Sequence, residues 1–503
     1  MARIAVIGAG MGAMAAAARL AVAGHRVTVY ERTETYGGAV RRFEKDGFGF
    51  DTGPGLLTLP AVYRDLFVKT GKEPLEDCVE LVQVDPASRH IFADGTQVSL
   101  PNASRAGVVT ALDEALGAGA GQRWGDFLVR AREAWDRTRR PLLEEPLWPN
   151  WQVLAEREPY PAVPHKRLLR TRRASTPAEI GAWELRDERL AALLTSQVLG
   201  YGLDPRTAPA SAAVLPYMEH AFGTWYVRGG IRELARAVYE RCVQRRVEFA
   251  FGAEVTGIAE KDGRAAGVEL ASGAVAEADH VVADVDPARL RTLTGHPLDE
   301  EGDVRSAPLS PAPGRFTLLL ALREGREEQA VHRTVVHAPD AETELDFLVS
   351  PGGDEPVCPT VTVLRPDDPA LRPDDAHESV VVSAVVSAEA AWEDAGTVRR
   401  YTDFLLEAAG AAVPGLPERL LWHEVRAPGH TQDETGTRSG AVPAPALAAG
   451  QGRFLHPANS TRLPGLYRVG GWSHPGGGLP HAGMSGALVA GLIVEGPDFH
   501  GSQ

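Results

Sequence analysis

Arg3-Ile4-Ala5-Val6-Ile7-Gly8-Ala9-Gly10-Met11-Gly12-Ala13 stands almost at the start of the chain, and its reading decides the fold. Arg3 to Ile7 is a short apolar run of the kind a buried parallel strand needs. It passes directly into the glycines, and the alanine-rich stretch that follows predicts a helix to about Ala23. A second apolar run, Arg26 to Tyr30, predicts the next strand and ends at Glu31. Each piece has a task in a dinucleotide-binding unit. Gly8 permits the tight turn, Ala9 follows it, and Gly10 lets a pyrophosphate approach the backbone. Gly12 and Ala13 open the helix, and Ala13, in place of a third glycine, still allows close helix–strand packing. The helix N-terminus offers free N–H groups and a positive dipole to phosphates. Glu31 lies 23 residues after Gly8, close to the spacing of about 20 for a carboxylate that binds ribose hydroxyls. An acid there disfavours a 2′-phosphate, so FAD or NAD is expected rather than NADP. A glycine fingerprint alone is a weak signal; strand, glycines, helix, strand and acid arriving in order give it weight.

The totals bound the rest. With 503 residues the chain exceeds what one hydrophobic core usually organises, so two or more domains are expected. Counting 52 Lys and Arg against 67 Asp and Glu gives a net charge of −15, which speaks against a nucleic-acid partner. Cys78, Cys242 and Cys358 are far apart, so neither metal spacing nor a redox pair is read from them, and no metal is expected. No apolar run reaches the length of about 18 residues a membrane helix needs. Ala13 to Ala18 resemble a signal peptide only superficially, because Arg19 follows and no basic leader precedes them. A cytoplasmic protein is the expectation.

Beyond Glu31 come Gly37-Gly38 and then Asp46-Gly47-Phe48-Gly49-Phe50-Asp51-Thr52-Gly53-Pro54. This extended pattern resembles the amine oxidase and phytoene desaturase superfamily of FAD proteins. In that family the second glycine pair and the Asp-x-Gly-Pro turn border the cofactor, which implies contacts at Arg32, Gly38, Gly53 and Pro54. The family carries a basic residue directly after the pair; here Ala39 stands there, with Arg41 and Arg42 two and three places on. Whether one of those arginines takes over its contact is left open by the sequence.

The second signal is near the far end. Leu463 to Gly471 reads as a loop feeding a short strand, followed by Trp472-Ser473-His474-Pro475-Gly476-Gly477-Gly478-Leu479-Pro480 and a small-residue helix from about His481 to Val494. Three glycines before a helix let backbone lie close to a flat ligand, and a helix N-terminus favours negative charge. The segment is similar to the C-terminal signature of bacterial phytoene desaturases, with Ser473 for a threonine, Leu479 for an isoleucine and an unusual Trp472. The resemblance implies that Gly470, Gly471, Gly478 and Leu479 border the flavin and that Val255 packs on the adenine. It sets Gly223 to Gly230, with Trp225 and Tyr226, beside the substrate, and makes Ala278 to Pro287 a return strand. No catalytic residue is firmly identified; His474, Trp225 and Trp472 are the candidates, and a loop-stabilising role suits His474 about as well.

By the same resemblance the fold class is α/β: a discontinuous Rossmann-type FAD-binding domain from residues 1–66, 223–289 and 451–503, with a mixed α+β substrate-binding domain from 67–222 and 290–450. The first substrate block reads as mostly helical, a lid or membrane-facing region, and Thr176-Pro177-Ala178-Glu179 is a capping box within it. The second holds apolar stretches such as Arg315 to Ala321 that read as sheet strands. The basic run Lys166 to Arg173, preceded by Trp148 and Trp151, has two readings: a solvated linker, or a surface resting on anionic lipid. The implied activity is dehydrogenation of a lipophilic polyene, with flavin as hydride acceptor and oxygen or a quinone taking the electrons. No second nucleotide fingerprint follows a strand, which speaks against a dedicated NAD(P)H domain. A flavin oxidase, a reductive cyclase and a redox-neutral isomerase are the enzymatic alternatives. A degenerate FAD-binding partner subunit is the non-enzymatic one, favoured only by Ala39.

Overall fold

The computed structural model describes residues 1–164, 170–299, 305, 313–349 and 357–501. Five strands make one all-parallel sheet: β1 (Arg3–Ile7), β2 (Arg26–Tyr30), β3 (Glu248–Ala250), β4 (His280–Ala283) and β5 (Leu466–Arg468). Their order is β3-β2-β1-β4-β5. Ala5 lies opposite Thr28 on one side and Val281 on the other. The chain first moves outward from β1 to β2 and later returns on the opposite side as β4. Such a reversal leaves a crevice beyond the carboxyl ends of β1 and β4.

The continuous apolar run of β1 is explained by burial on both faces. Ile4 and Val6 pack with α1 (Met11–Val22), α2 (Arg232–Gln244) and α3 (Leu479–Val494). Ala5 and Ile7 pack instead against an antiparallel sheet of Val255–Lys261, Arg264–Leu270 and Val275–Glu277. The expected α3 begins two residues earlier than its sequence reading, at Leu479, because Gly478 supplies the N-cap and Pro480 is tolerated in the first turn.

A seven-stranded sheet forms the second layer, in the order 420–426, 313–323, 377–387, 361–364, 333–336, 88–91, 97–100. Along Pro313–Arg323 the apolar residues sort by parity. Phe316, Leu318, Leu320 and Leu322 meet Tyr401 and Leu405 of the helix Ala395–Gly410. Leu319 and Ala321 meet Phe48 and Phe50 of the hairpin that follows the second glycine pair. Within the block 67–222 short strands stand among the helices: Ser88–Ile91 and Gln97–Leu100 join this sheet, the former parallel to Arg333–Val336. Its helices Arg105–Leu116, Ala120–Arg139, Glu188–Leu199 and Val214–Phe222 share one core that extends to Leu447, Phe454 and Met484 of α3. Thr176 caps the short helix Pro177–Ile180, its hydroxyl accepting from the Glu179 N–H at 3.2 Å. The Glu179 carboxylate turns to the Ser175 N–H, one residue away from a true box partner. Of the basic run, residues 166–169 lie outside the described residues; Arg172 lies over the Trp183 ring.

Candidate functional site

The first glycine loop is held by main-chain bonds that leave its outer edge accessible. Gly8 adopts φ +89°, a left-handed conformation, and donates to the Tyr30 carbonyl at 2.8 Å. The Glu31 carboxylate sits at the mouth of the crevice. One oxygen accepts from the Ala9 N–H at 2.8 Å, the other from the Thr33 N–H and hydroxyl at 2.8 and 2.9 Å. The second glycine pair stacks on the first loop: Gly37 donates to the Ala9 carbonyl at 2.7 Å, and a Cβ on Gly38 would stand 3.1 Å from the Gly10 Cα. A Cβ on Gly12 would lie 2.7 Å from the Gly470 Cα and 3.0 Å from the Ala482 carbonyl, so α1, α3 and the turn after β5 converge there. Ala13 is fully buried, as a packing residue in the third glycine position should be.

The arginines left open by the sequence separate. Arg41 donates to the Gly38 carbonyl at 2.9 Å and the Thr33 hydroxyl at 3.0 Å, on the glycine-loop side. Arg42 points to the Gly229 and Ala370 carbonyls. Arg32 turns to the Asp433 carbonyl at 2.6 Å, and Pro54 is exposed. Gly53 packs so closely on the Ala39 carbonyl that a Cβ there has no room. Val255 is buried beside Ile7 and Tyr30, and its carbonyl accepts from Arg289 at 3.0 Å.

At the C-terminal side a buried polar network pins the Gly470-Gly471 turn. The Asn459 amide donates to the Arg468 carbonyl, the His474 carbonyl and the Ser485 hydroxyl at 3.1, 2.8 and 3.1 Å. The Gly470 N–H donates to Ser485 at 3.0 Å, and Ser473 donates to the Gly470 carbonyl at 3.1 Å. Gly471 abuts Pro443. The three glycines do not share one role. Gly476 and Gly477 are buried against Pro443 to Ala446, with the Gly477 N–H on the Ala444 carbonyl at 2.8 Å. Gly478, at φ +102°, is exposed at the N-terminus of α3. The next residue, Leu479, is fixed by the Tyr63 hydroxyl on its carbonyl at 2.9 Å.

Three histidines surround this turn, and burial pushes His456, His474 and His481 down to about 4. His474 commits Nε2–H to the Glu145 carbonyl at 2.9 Å, which makes it a neutral structural tie and a poor acid or base. Trp472 is half-buried. Trp225 pairs with Leu57 on a neighbouring strand and gives its indole N–H to the Phe222 carbonyl at 3.0 Å. Trp148 and Trp151 are half-buried around a cavity of about 560 Å³ that Arg305, Arg462 and Arg468 also line.

The crevice holds a residue the sequence reading passed over. Asp284, directly after β4, lies between the glycine turns and accepts from the Ala13 N–H at 3.3 Å. A Cβ on Gly10 or Gly470 would run into its carboxylate. Asn459 and Ser485 were equally invisible in sequence, because isolated polar residues in loops and helices carry no spacing signal. Among the described residues no group of three or more His, Cys, Asp or Glu side chains is placed to hold a metal. No described helix is long and apolar enough to cross a membrane.

These residues fit a flavin dinucleotide. The glycine cradle leaves no room for side chains, the Glu31 carboxylate is fixed beside the first glycine loop, and the buried Nδ1 of His481 has no protein partner beside the open Gly478. Residues 14–494 match the family described as flavin containing amine oxidoreductase. The chain is 30% identical to a hydroxyneurosporene desaturase of Cereibacter sphaeroides, covering 98% of this chain and 97% of that one. It is 29% identical to a 4,4′-diapolycopene oxygenase of a Methylomonas species, over 98% of each. In fold it is similar to an oxidoreductase from Methanosarcina mazei, with a TM-score of 0.65, 19% identity, and coverage of 97% and 99%. The chain belongs to the flavin-containing amine oxidoreductase family and is an FAD-dependent oxidoreductase.

Proposed function

We propose that this oxidoreductase dehydrogenates an apolar polyene of the carotenoid class. The observation that carries the reading is similarity along the whole chain to a relative named as a carotenoid desaturase. Bound FAD supplies the hydride acceptor. The chain's own residues do the rest. Gly8, Ala9, Gly10, Gly12 and Ala13 at the N-terminus of α1 hold the pyrophosphate, with Gly38 behind them and Arg41 as the neighbouring cation. Glu31 takes the ribose and Val255 the adenine, while Gly470, Gly471, Gly478 and Leu479 border the flavin. Residues 1–66, 223–289 and 451–503 form the cofactor unit; in support, all five parallel strands lie in those segments. Residues 67–222 and 290–450 form the substrate unit, whose apolar helices pack onto Met484 of α3 and exclude water. Neutral buried histidines leave the turn without a general base, which suits removal of hydrogen from an unactivated carbon chain. Oxygen or a quinone takes the electrons. Substrate arrives from anionic membrane surfaces through the basic run 166–173.

Anaerobic addition of phytoene in detergent is the test. The flavin absorption bands should bleach, and the product should weigh two hydrogens less. Unchanged bands refute dehydrogenation of that substrate. The similarity to an oxygenase favours a second reading, recognised aerobically by a product that gains oxygen. Co-sedimentation with anionic but not neutral vesicles checks the membrane contact.

A further inference from the structure

Asp284 puts a carboxylate where a dinucleotide needs an anion site. Its side chain lies between Gly8, Gly10 and Gly470, and one oxygen already takes the N–H of Ala13 at the start of α1. The glycine that should admit phosphate therefore admits this carboxyl as well. A helix N-terminus stabilises one negative group there; two within a few ångströms repel each other, so one of them must be neutral. A pyrophosphate stays ionised throughout the neutral range, which leaves the carboxyl as the group that yields.

We propose that Asp284 is a cofactor-binding residue that acts as a neutral acid, donating its proton to the pyrophosphate of FAD, so that cofactor binding takes up one proton at this side chain. The surroundings support the assignment. Enclosure pushes the Asp284 carboxyl up to about 7, the Ala13 N–H opposes that shift, and the charge of Glu31 adds to it. Glu31 faces it from the end of β2; Met11, Gly12 and Ala13 of α1, and Gly470 and Gly471 after β5, bring no charged group. Ser485 of α3, bonded to the Gly470 N–H, is neutral. The inference rests on the FAD assignment and concerns this chain's own side chain.

Linkage gives the size of the effect. Above the carboxyl's value in the flavin-free protein, affinity for FAD should fall by up to tenfold per pH unit. Flavin fluorescence titrations of the flavin-free protein at pH 6, 7, 8 and 9 measure it. The wild type should weaken at least tenfold from pH 6 to 9, while Asp284→Asn should bind with little pH dependence and outbind the wild type at pH 9. A flat wild-type profile, or an unchanged slope in Asp284→Asn, overturns the proposal. Should Asp284→Asn fail to fold, calorimetry of wild-type FAD binding in two buffers of different ionisation enthalpy decides. Net proton uptake at pH 8 supports the role and no uptake refutes it. Absence of flavin binding at every pH would refute the FAD assignment itself, a result distinct from binding without pH dependence.

Discussion

Gly10 shows how much one missing side chain decides. It is closed in by the Asp284 carboxylate on one side and the Gly38 backbone on the other, and the smallest addition collides with the carboxylate. Gly10→Ala should retain the far-ultraviolet spectrum of the wild type yet purify with at least tenfold less flavin, read as the absorbance ratio of flavin to protein. At Gly10 and Glu31 the sequence was legible, because turn geometry and ribose recognition each demand one residue type at one spacing. At Asp284 it was not. An aspartate after a strand is commonplace, and only the closing of β4 against β1 brings it under the glycines. The same holds for the arginines: Ala39 signalled a departure, but the turn that carries Arg41 to Gly38 and Arg42 to Gly229 is set by the hairpin that follows.

At the scale of elements, α1 and α3 meet through small residues. A Cβ on Gly486 would lie 2.6 Å from the Gly12 carbonyl and 2.7 Å from the Ala15 Cβ, so the two helices touch at backbone distance. Gly486→Ala overpacks this contact and should cost about 1–3 kcal/mol, seen as a lower urea midpoint with partial loss of flavin. In the seven-stranded sheet the partners are charged. The Glu378 carboxylate, 1% exposed, receives Arg365 at 2.7 and 2.8 Å and Arg419 at 2.8 Å. Glu378→Ala leaves two buried arginines short of a partner, which should destabilise by about 3–5 kcal/mol; equilibrium urea unfolding of the flavin-free protein measures it. Residue periodicity is enough to find α1 and the strand around Arg315–Ala321. It misses Ser88–Ile91 and Gln97–Leu100, because strands of only four residues beside long helices leave too short a pattern to read.

Over the whole molecule, buried titratable groups set the response to pH. Burial lowers His337, His456, His474 and His481 to about 4 and His332 to about 3. The unfolded chain, with histidines near 6.5, binds more protons than the folded one between those values, so this part of the stability rises with pH up to 6.5. Burial raises Asp51, Asp284, Glu158 and Glu344 to about 7. Here the folded state holds the extra protons, so their contribution is full below the ordinary carboxylate range and is lost as pH rises to 7. The histidines outnumber the carboxyls, and above 6.5 only the carboxyls still change. Five histidines against four carboxyls leave about one net proton on the acid side, so flavin-free protein should be most stable near pH 6.5 with a shallow fall on both sides. Urea midpoints at pH 5, 6.5 and 8 would show it, and a continuous rise to pH 8 would contradict it.

Residue type and spacing were sufficient to specify the dinucleotide-binding unit at the N-terminus and the glycine-rich turn before the last helix. Both are local: turn conformation, helix-terminal dipole and strand burial act within a few residues, and each leaves its mark along the chain. The acid at the end of β2 narrowed the cofactor class in the same way. Long-range packing settled which of the three late glycines stays open, which arginine stands by the cradle, and that His474 is spent on the Glu145 carbonyl. It also brought Asp284 beneath Gly10 and Gly470. The His474–Glu145 and Asp284–Ala13 contacts join residues 329 and 271 positions apart, where packing of already formed elements sets the distances and no local pattern records the result.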